Sequence, residues 1–323
     1  MANFVIENQV MMERKEERGM TEASEKIHRS GVVAMVGPPN AGKSTLLNRF
    51  LGQKIAIVTP RPQTTRNRIA GIVTGQDYQI IMLDTPGLHR PRELLNREMV
   101  RIALESLHEA DVALFLADAT VGAGGRLEKK RGEYGEYLGK VQCPAILAIN
   151  KIDLLRPEEL LPLIDWYRSL HPFAAVVPIS ALQGDNTDAL LREVVARLPE
   201  GPQYYPADLP TDATERFIVA EIIREKIFLL TREEVPYSTA VLIDSFREDG
   251  AGRPVEIHAT IIVERGSQKG IIIGQGGRML GEIRRSATTE IENLLDCRVR
   301  LRLWVKVKKK WTKNENILRE LGM

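Results

Sequence analysis

The stretch Gly31–Phe50, GVVAMVGPPNAGKSTLLNRF, constrains this chain more than any other. An apolar run, Val32–Val36, is short enough for a buried strand and ends at a glycine. Gly37, four residues, Gly42, Lys43 and Ser44 follow, and a helical pattern begins at Thr45. The pattern G-x-x-x-x-G-K-[ST], with strand before and helix after, is a phosphate loop. Its glycines let backbone N–H groups turn inward around an anion, with Pro38, Pro39, Asn40 and Ala41 closing the loop between them. The helix N-terminus adds unpaired donors and partial positive charge, so a nucleoside triphosphate is the expected guest. Lys43 is placed to reach the β- and γ-phosphates, and Ser44 to put its hydroxyl on Mg²⁺.

Downstream, Lys54–Arg68 is rich in Pro, Thr and Arg and lacks periodicity, so it reads as a mobile loop. Ile69–Thr74 and Tyr78–Leu83 are strand-like runs joined by a Gly75-Gln76 turn. The second run ends in Asp84-Thr85-Pro86-Gly87. A carboxylate at the end of a buried strand near a phosphate loop suits a ligand to Mg²⁺ through water, and Gly87 offers an N–H for the γ-phosphate. Helices then alternate with strands as far as Leu198, which predicts a mostly parallel, doubly wound α/β sheet with ligands at the strands' carboxyl ends. One such end carries Asn150-Lys151-Ile152-Asp153. Asp153 can accept from the N1–H and 2-amino edge of guanine, a donor pair that adenine lacks. Asn150 can bond the purine and brace neighbouring loops, and the Lys151 stem can lie along the ring. Ser180-Ala181, after the next strand, would bring a backbone N–H to the guanine oxygen.

These elements, in this order, resemble the translation-factor-like GTPases and, within them, the Era-type GTPases. The residues that carry the likeness are GPPNAGKS (Gly37–Ser44), PQTTR (Pro62–Arg66), DTPG (Asp84–Gly87), NKID (Asn150–Asp153) and SAL (Ser180, Ala181, Leu182). The resemblance makes Gln63, Thr64, Thr65, Arg66 and Asn67 a switch segment, with Thr65 closing on Mg²⁺ and the γ-phosphate. Thr64 is a rival for that role, and local loop capping accounts for either threonine. Leu88 follows Gly87 at the phosphate site, where many related GTPases carry a water-orienting Gln, so hydrolysis should be slow. In resembling families an Asn at position 40 is associated with a bound K⁺ that neutralises charge developing at the β/γ-bridge. A purely structural Asn40 is the alternative.

Leu198–Thr211 holds four prolines and reads as a linker. Beyond it lie an amphipathic helix (Glu215–Leu230), two strand-like runs (Thr239–Phe246 and Val255–Glu264), two helices and a final strand, Cys297–Val307. Gly274, Gln275, Gly276 and Gly277 form a G-x-x-G loop flanked by Lys269, Arg278, Arg284 and Arg285. This is the device with which a KH domain clamps a nucleic-acid backbone. The order helix-strand-strand-helix-helix-strand resembles the smaller α+β, type II KH arrangement. In the last strand Arg298, Arg300, Arg302, Trp304 and Lys306 share one face, which suits phosphate contact and base stacking; a solvated edge face is the plainer alternative.

The expected organisation is a disordered extension (1–29), a GTPase domain (30–200), a linker (201–212) and a KH-type domain with its tail (213–323). Met20 is an equally good start. The charge and hydrophobic fractions, 27% and 43%, are ordinary for a globular chain, and a net charge of +2 says little as a sum. The two cysteines, Cys143 and Cys297, offer neither a disulfide framework nor zinc spacing, which fits a reducing cytosol. The resemblance implies GTP and GDP as ligands, Mg²⁺ as cofactor, and a cytoplasmic monomer. It also implies binding of small-subunit (16S) ribosomal RNA near its 3′ end and assistance in assembling that subunit. Some peripheral contact with the cell membrane is implied too, for which the sequence shows no anchor. Two other functions fit the second domain: RNA modification, against which the lack of a second catalytic constellation argues, and docking on a protein partner.

Overall fold

The computed structural model describes residues 27–91, 93–122, 127–248, 250 and 253–323. Most of the expected extension, Arg126 at the start of one expected helix, and part of the turn after Arg247 lie outside these residues.

The first unit is built on strands β1 (Arg29–Val36), β2 (Ile69–Thr74), β3 (Tyr78–Asp84), β4 (Val112–Asp118), β5 (Ala145–Asn150) and β6 (Ala175–Ile179). They form one sheet in the order β2-β3-β1-β4-β5-β6, parallel except for the β2–β3 hairpin. Every residue of β4 and β5 is buried, because helices cover both faces. Helices α1 (Lys43–Leu51) and α5 (Thr187–Val195) bury Leu46, Leu47, Leu190 and Val194 on one face. Helices α2 (Leu94–His108), α3 (Arg131–Leu138) and α4 (Pro157–Arg168) bury Ala103, Leu107, Tyr134, Leu163 and Tyr167 on the other. The helix expected over Arg126–Leu138 is shorter, since a 3₁₀ turn, Glu128–Lys130, precedes α3. Chain order reverses on either side of β1, so a crevice opens beyond its carboxyl end, where the phosphate loop lies.

The second unit packs α6 (Glu215–Leu230), α7 (Gly266–Ile273) and α8 (Arg278–Leu295) on a sheet of β7 (Ala240–Arg247), β8 (Val255–Val263) and β9 (Val299–Val307), closed by α9 (Glu315–Glu320). Ile283, Ala287 and Ile291 repeat at i, i+4 and i+8 on α8, so one stripe meets Ile257 and Leu301 of the sheet. Truncating any of these isoleucines to Ala should cost about 2–5 kcal/mol.

The linker lies along the first unit. Arg29 bridges to Glu200, and the Gln79 side chain bonds the main chain of Tyr204 and Tyr205. The Ile72 N–H donates to Pro210, and the Thr211 hydroxyl to Ala70. The C-terminal tail, expected to pack back on its own domain, does more than that. Trp311 and Leu318 share a buried cluster with Ala240 and Ile262 of the second unit and with Leu95 and Met99 of α2. Apolar surface on α2 thus gives the tail a partner in the first unit.

Candidate functional site

In the phosphate loop, Gly42 is left-handed (φ 94°), and a Cβ there would come within 2.1 Å of Asn150 Nδ2. Only glycine lets the loop pass this close to β5. Lys43 is buried and donates to the Gly37 and Pro38 carbonyls at 3.3 and 3.1 Å. Burial lowers its pKa to about 8 against the opposing pull of Asp84.

Three oxygens converge beside it. Ser44 Oγ donates to Asp84 Oδ2 at 2.5 Å and lies 3.0 Å from Thr65 Oγ1. Thr64 is instead tied within its own loop, to Thr59 Oγ1 and the Arg61 carbonyl. The two candidate threonines are therefore separated: Thr65 reaches the corner and Thr64 caps the loop. Asp84 is fully buried, and its Oδ1 has no partner among the described residues. Burial pushes its pKa up to about 6, against Lys43, Ser44 and Thr65. An all-oxygen donor set with an orphaned carboxylate oxygen fits a hard divalent cation such as Mg²⁺.

The rest of the Asp84–Leu88 turn divides in two. Gly87 lines the cavity. Thr85 is buried and donates to the Met35 carbonyl, Pro86 is buried, and Leu88 turns into the core while its N–H donates to Gly37. Leu88 was expected at the phosphate site; its apolar side chain is instead part of the packing of the second face.

A cavity of about 420 Å³ runs from the phosphate loop past Thr65 to Asn150, Lys151, Asp153 and Leu182. Asn150 is buried and braces two loops, donating to the Ala41 carbonyl at 2.7 Å and accepting from the Ala181 N–H at 2.8 Å. That N–H, expected to face the guanine oxygen, is thus engaged by Asn150. Ser180 is buried and accepts from the Gln183 N–H, holding the same turn. Two features escaped the sequence reading. Arg49 of α1 donates to the carbonyls of Ala181 and Leu182. Asp118, in register with Asn150, pairs with Lys151 Nζ at 2.5 Å and also holds the Thr120 N–H. An acidic residue ending β4, the strand before the one that carries NKID, was the available signal for it.

The segment from Lys54 to Asn67 has no regular structure, as expected, yet Thr64, Thr65 and Arg66 are buried. Asn40 Nδ2 donates to the Pro60 carbonyl. Most other holds come from the second unit. Arg66 donates to the carbonyls of Thr239, Tyr237 and Pro236 at 2.7, 2.8 and 3.1 Å, between the rings of Phe228 and Trp311. Burial, then the nearby Arg224, lowers its pKa to about 9, with Glu221 opposing. Glu225 accepts from the Val58 N–H and from Lys54, and Asn67 donates to the Leu321 carbonyl.

In the second unit, Gly274, Gly276 and Gly277 all have positive φ, and Gly276 and Gly277 leave open space where a Cβ would be. Gln275, Arg278, Arg284 and Arg285 are exposed and Lys269 is half-buried around this loop, directly before α8. Val299 and Leu301 of β9 face the helices, so Arg300, Arg302 and Trp304 lie on the opposite side of the sheet. Trp304 meets His258 edge-on at 5.2 Å, and Arg300 pairs with Glu256. The candidate nucleic-acid residues thus occupy two separate surfaces.

Residues 32–151 match the family described as 50S ribosome-binding GTPase, and residues 234–312 match the KH domain. GTPase Era of Geotalea daltonii is 50% identical over 299 residues, 93% of this chain and 99% of that protein. The chain belongs to the Era family of GTPases. Era of Syntrophus aciditrophicus is likewise 50% identical, over 92% of this chain and 95% of its own. Among solved structures, Era in complex with MgGDPNP and nucleotides 1506–1542 of 16S ribosomal RNA superposes with a TM-score of 0.86. It shares 44% identity and covers 91% of this chain and 99% of its own. A single-site variant of Aquifex aeolicus Era bound to GDP·AlF4⁻ gives 0.85 at the same identity and coverage. The Era-type likeness drawn from five short motifs therefore extends over nearly the whole described chain, with the P-loop fold and the KH unit in the expected order.

Proposed function

We propose that this Era-family GTPase binds Mg²⁺·GTP in the cavity between Lys43 and Asp153 and hydrolyses it slowly. We further propose that its second unit binds small-subunit ribosomal RNA near its 3′ end, so that it acts as a nucleotide-controlled assembly factor for that subunit. The observation that carries the nucleotide half is the meeting of Ser44, Thr65 and the orphaned Asp84 oxygen beside Lys43. The RNA half is supported by the relative crystallised with 16S RNA and by the open G-x-x-G loop.

In this reading the loop N–H groups and Lys43 hold the β- and γ-phosphates, and the Gly87 N–H meets the γ-phosphate. Ser44 and Thr65 would hold the metal, and Asp84 would hold it through water; when bound, Mg²⁺ would neutralise charge developing on the phosphates. Asp153 reads guanine, Lys151 stays over the ring because Asp118 anchors its ammonium, and Asn150 keeps the phosphate and base loops in register. Leu88 turns inward where a water-orienting side chain would stand, so turnover should be slow. Asn40 uses its amide nitrogen on Pro60, so Oδ1 is the atom that would hold K⁺. The domains divide at the 201–212 linker. We place the protein in the cytoplasm as a monomer. The membrane contact in this reading is peripheral; no helix among the described residues is long and apolar enough to cross a membrane.

Calorimetry with GTP, ATP and XTP tests the nucleotide half. Asp153→Asn should lose about 1–3 kcal/mol for GTP and gain for XTP; equal wild-type affinity for ATP and GTP would sink it. Filter binding of ribosomal RNA across a salt series tests the other half. Gln275→Asp should weaken binding and leave GTP affinity intact; unchanged RNA affinity would make the second unit a protein-docking module.

A further inference from the structure

The switch segment contributes Thr65 to the metal corner, yet little of the first unit holds it there. Among the described residues, no main-chain hydrogen bond joins residues 57–67 to the phosphate loop or the large sheet. What holds the peptide before Thr65 is Arg224 of α6, whose Nη2 donates to the Thr64 carbonyl at 2.5 Å. This guanidinium is held through its Nε and Nη2, while its buried Nη1 has no partner among the described residues. Its Nε and Nη2 fork onto Glu221 at 2.7 and 2.5 Å, the Phe228 ring lies 5.4 Å away, and the side chain is 3% exposed. One residue beyond Thr65, Arg66 is gripped by three carbonyls of the same unit. Thr65 therefore sits between two anchors, both belonging to the second unit, and its hydroxyl is the one switch group that reaches Ser44.

We propose that Arg224 is a positioning residue for the GTP-bound state: by holding the Thr64 carbonyl it sets the Thr65 hydroxyl against Ser44 and Asp84, so that the second unit completes the metal corner of the first. The proposal rests on the reading of Thr65 as the residue that closes on Mg²⁺ and the γ-phosphate. It makes a distinction that interdomain packing alone would not. GDP has no γ-phosphate to be closed upon, so its binding needs neither Thr65 nor its anchor. GTP binding needs both. Arg224 acts through a carbonyl rather than by touching the nucleotide, so it should tune the preference for GTP over GDP and not general affinity.

The test uses the full chain and compares affinity for Mg²⁺·GDPNP with affinity for Mg²⁺·GDP, over a range of Mg²⁺ concentrations. Arg224→Met, combined with Glu221→Gln so that no lone carboxylate stays buried, should weaken GDPNP about tenfold, the worth of one hydrogen bond to a charged group. GDP affinity should stay within about twofold, inside the scatter of a substitution remote from the ligand. More Mg²⁺ should be needed to reach half-saturation with GDPNP. Arg224→Lys, which keeps a donor, should recover part of the preference. Thr65→Ala serves as the reference and should lose the same preference; adding the Arg224 change to it should then lose no more. If Thr65→Ala leaves the GDPNP-to-GDP ratio unchanged, the switch reading is wrong and the proposal falls with it. If Thr65→Ala lowers the ratio and the Arg224 variants do not, the proposal alone is overturned, and Arg224 only joins the two units. Losses that simply add in the triple variant overturn it as well.

Discussion

The phosphate loop and the switch segment meet across one cavity, but they are held in place in opposite ways. The loop is framed by its own unit: β1 runs into it, α1 leaves it, Lys43 and Ala41 donate to the Pro38 carbonyl within it, and Asn150 and Leu88 of the same unit donate to the Ala41 and Gly37 carbonyls. The switch segment has few bonds of its own and relies on side chains and carbonyls about 160–170 positions further along the chain. One half of the site is therefore a property of the first unit, and the other a property of both units together. Substitutions in the first half should act on every nucleotide alike, and those in the second should act on the coupling between units.

The largest expected effect comes from Lys43→Ala. Losing its charge-assisted bonds to the β- and γ-phosphates should weaken GTP by about 3 kcal/mol or more, and GDP as well through the β-phosphate. The fold should not suffer, because burial already disfavours the charged amine, whose pKa is lowered to about 8. Calorimetry and a thermal melt measure the two sides; a large fall in Tm would mean the loop is not the self-contained frame described here.

Arg66→Ala should come next. Three carbonyls lose their donor, so the docking of the switch segment should weaken by about 3 kcal/mol. Hydrogen exchange should speed up across residues 54–68 and 236–239 while GDP affinity holds. Unchanged protection would erase the contrast between the two halves.

A smaller effect follows from Asp84, whose carboxyl is raised to about 6 by burial. Above that pH it is ionised and available to the metal. As pH falls through 6 it protonates, and Mg²⁺ must displace the proton, so Mg²⁺-dependent GTP affinity should drop by up to about tenfold per pH unit. The same shift acts on stability with the opposite sign. A raised carboxyl favours the folded state most below its unfolded pKa near 4, and that contribution is lost as pH rises through 6. Asp84→Asn should remove both dependences; a pH profile shared by wild type and variant would exclude Asp84 as their source.

The smallest effect should be at Asn40. If its carbonyl holds a monovalent cation, hydrolysis should rise severalfold in K⁺ over Na⁺, and Asn40→Ala should abolish the difference. Hydrolysis indifferent to the cation would leave Asn40 as the tie to Pro60 alone.

What could be read from the chain follows the same division. The strand pattern, the phosphate loop, Asp84 at the end of β3 and the α8 stripe are local, and their periodicity survives in the fold. Thr65 was preferred to Thr64 on the resemblance alone, because adjacent residues of one type differ only in which way the backbone turns them. Arg66 was readable as part of a switch, but not as a buried anchor, since its acceptors are backbone carbonyls that leave no mark in composition. Asp118 was passed over because an acid at a strand end has many roles until its register with Asn150 is known. That the loop Gly274–Gly277 and the row with Arg302 and Trp304 lie on different surfaces was not legible, because alternation says which side of a strand a residue takes, not which side the helices cover.

The strap between the units carries a further consequence. It is tied down as far as Thr211, and α6 is capped by Thr214, so only Asp212 and Ala213 lie between a fixed point on β2 and the first turn of that helix. Such a tether reaches about 10 Å. Should Arg66 and Arg224 let go of the switch segment, the second unit would pivot like a door on its hinge instead of drifting away. Its docking surface would stay at an effective concentration in the millimolar range. Re-engagement would then be an intramolecular rotation, with a rate independent of how much protein is present.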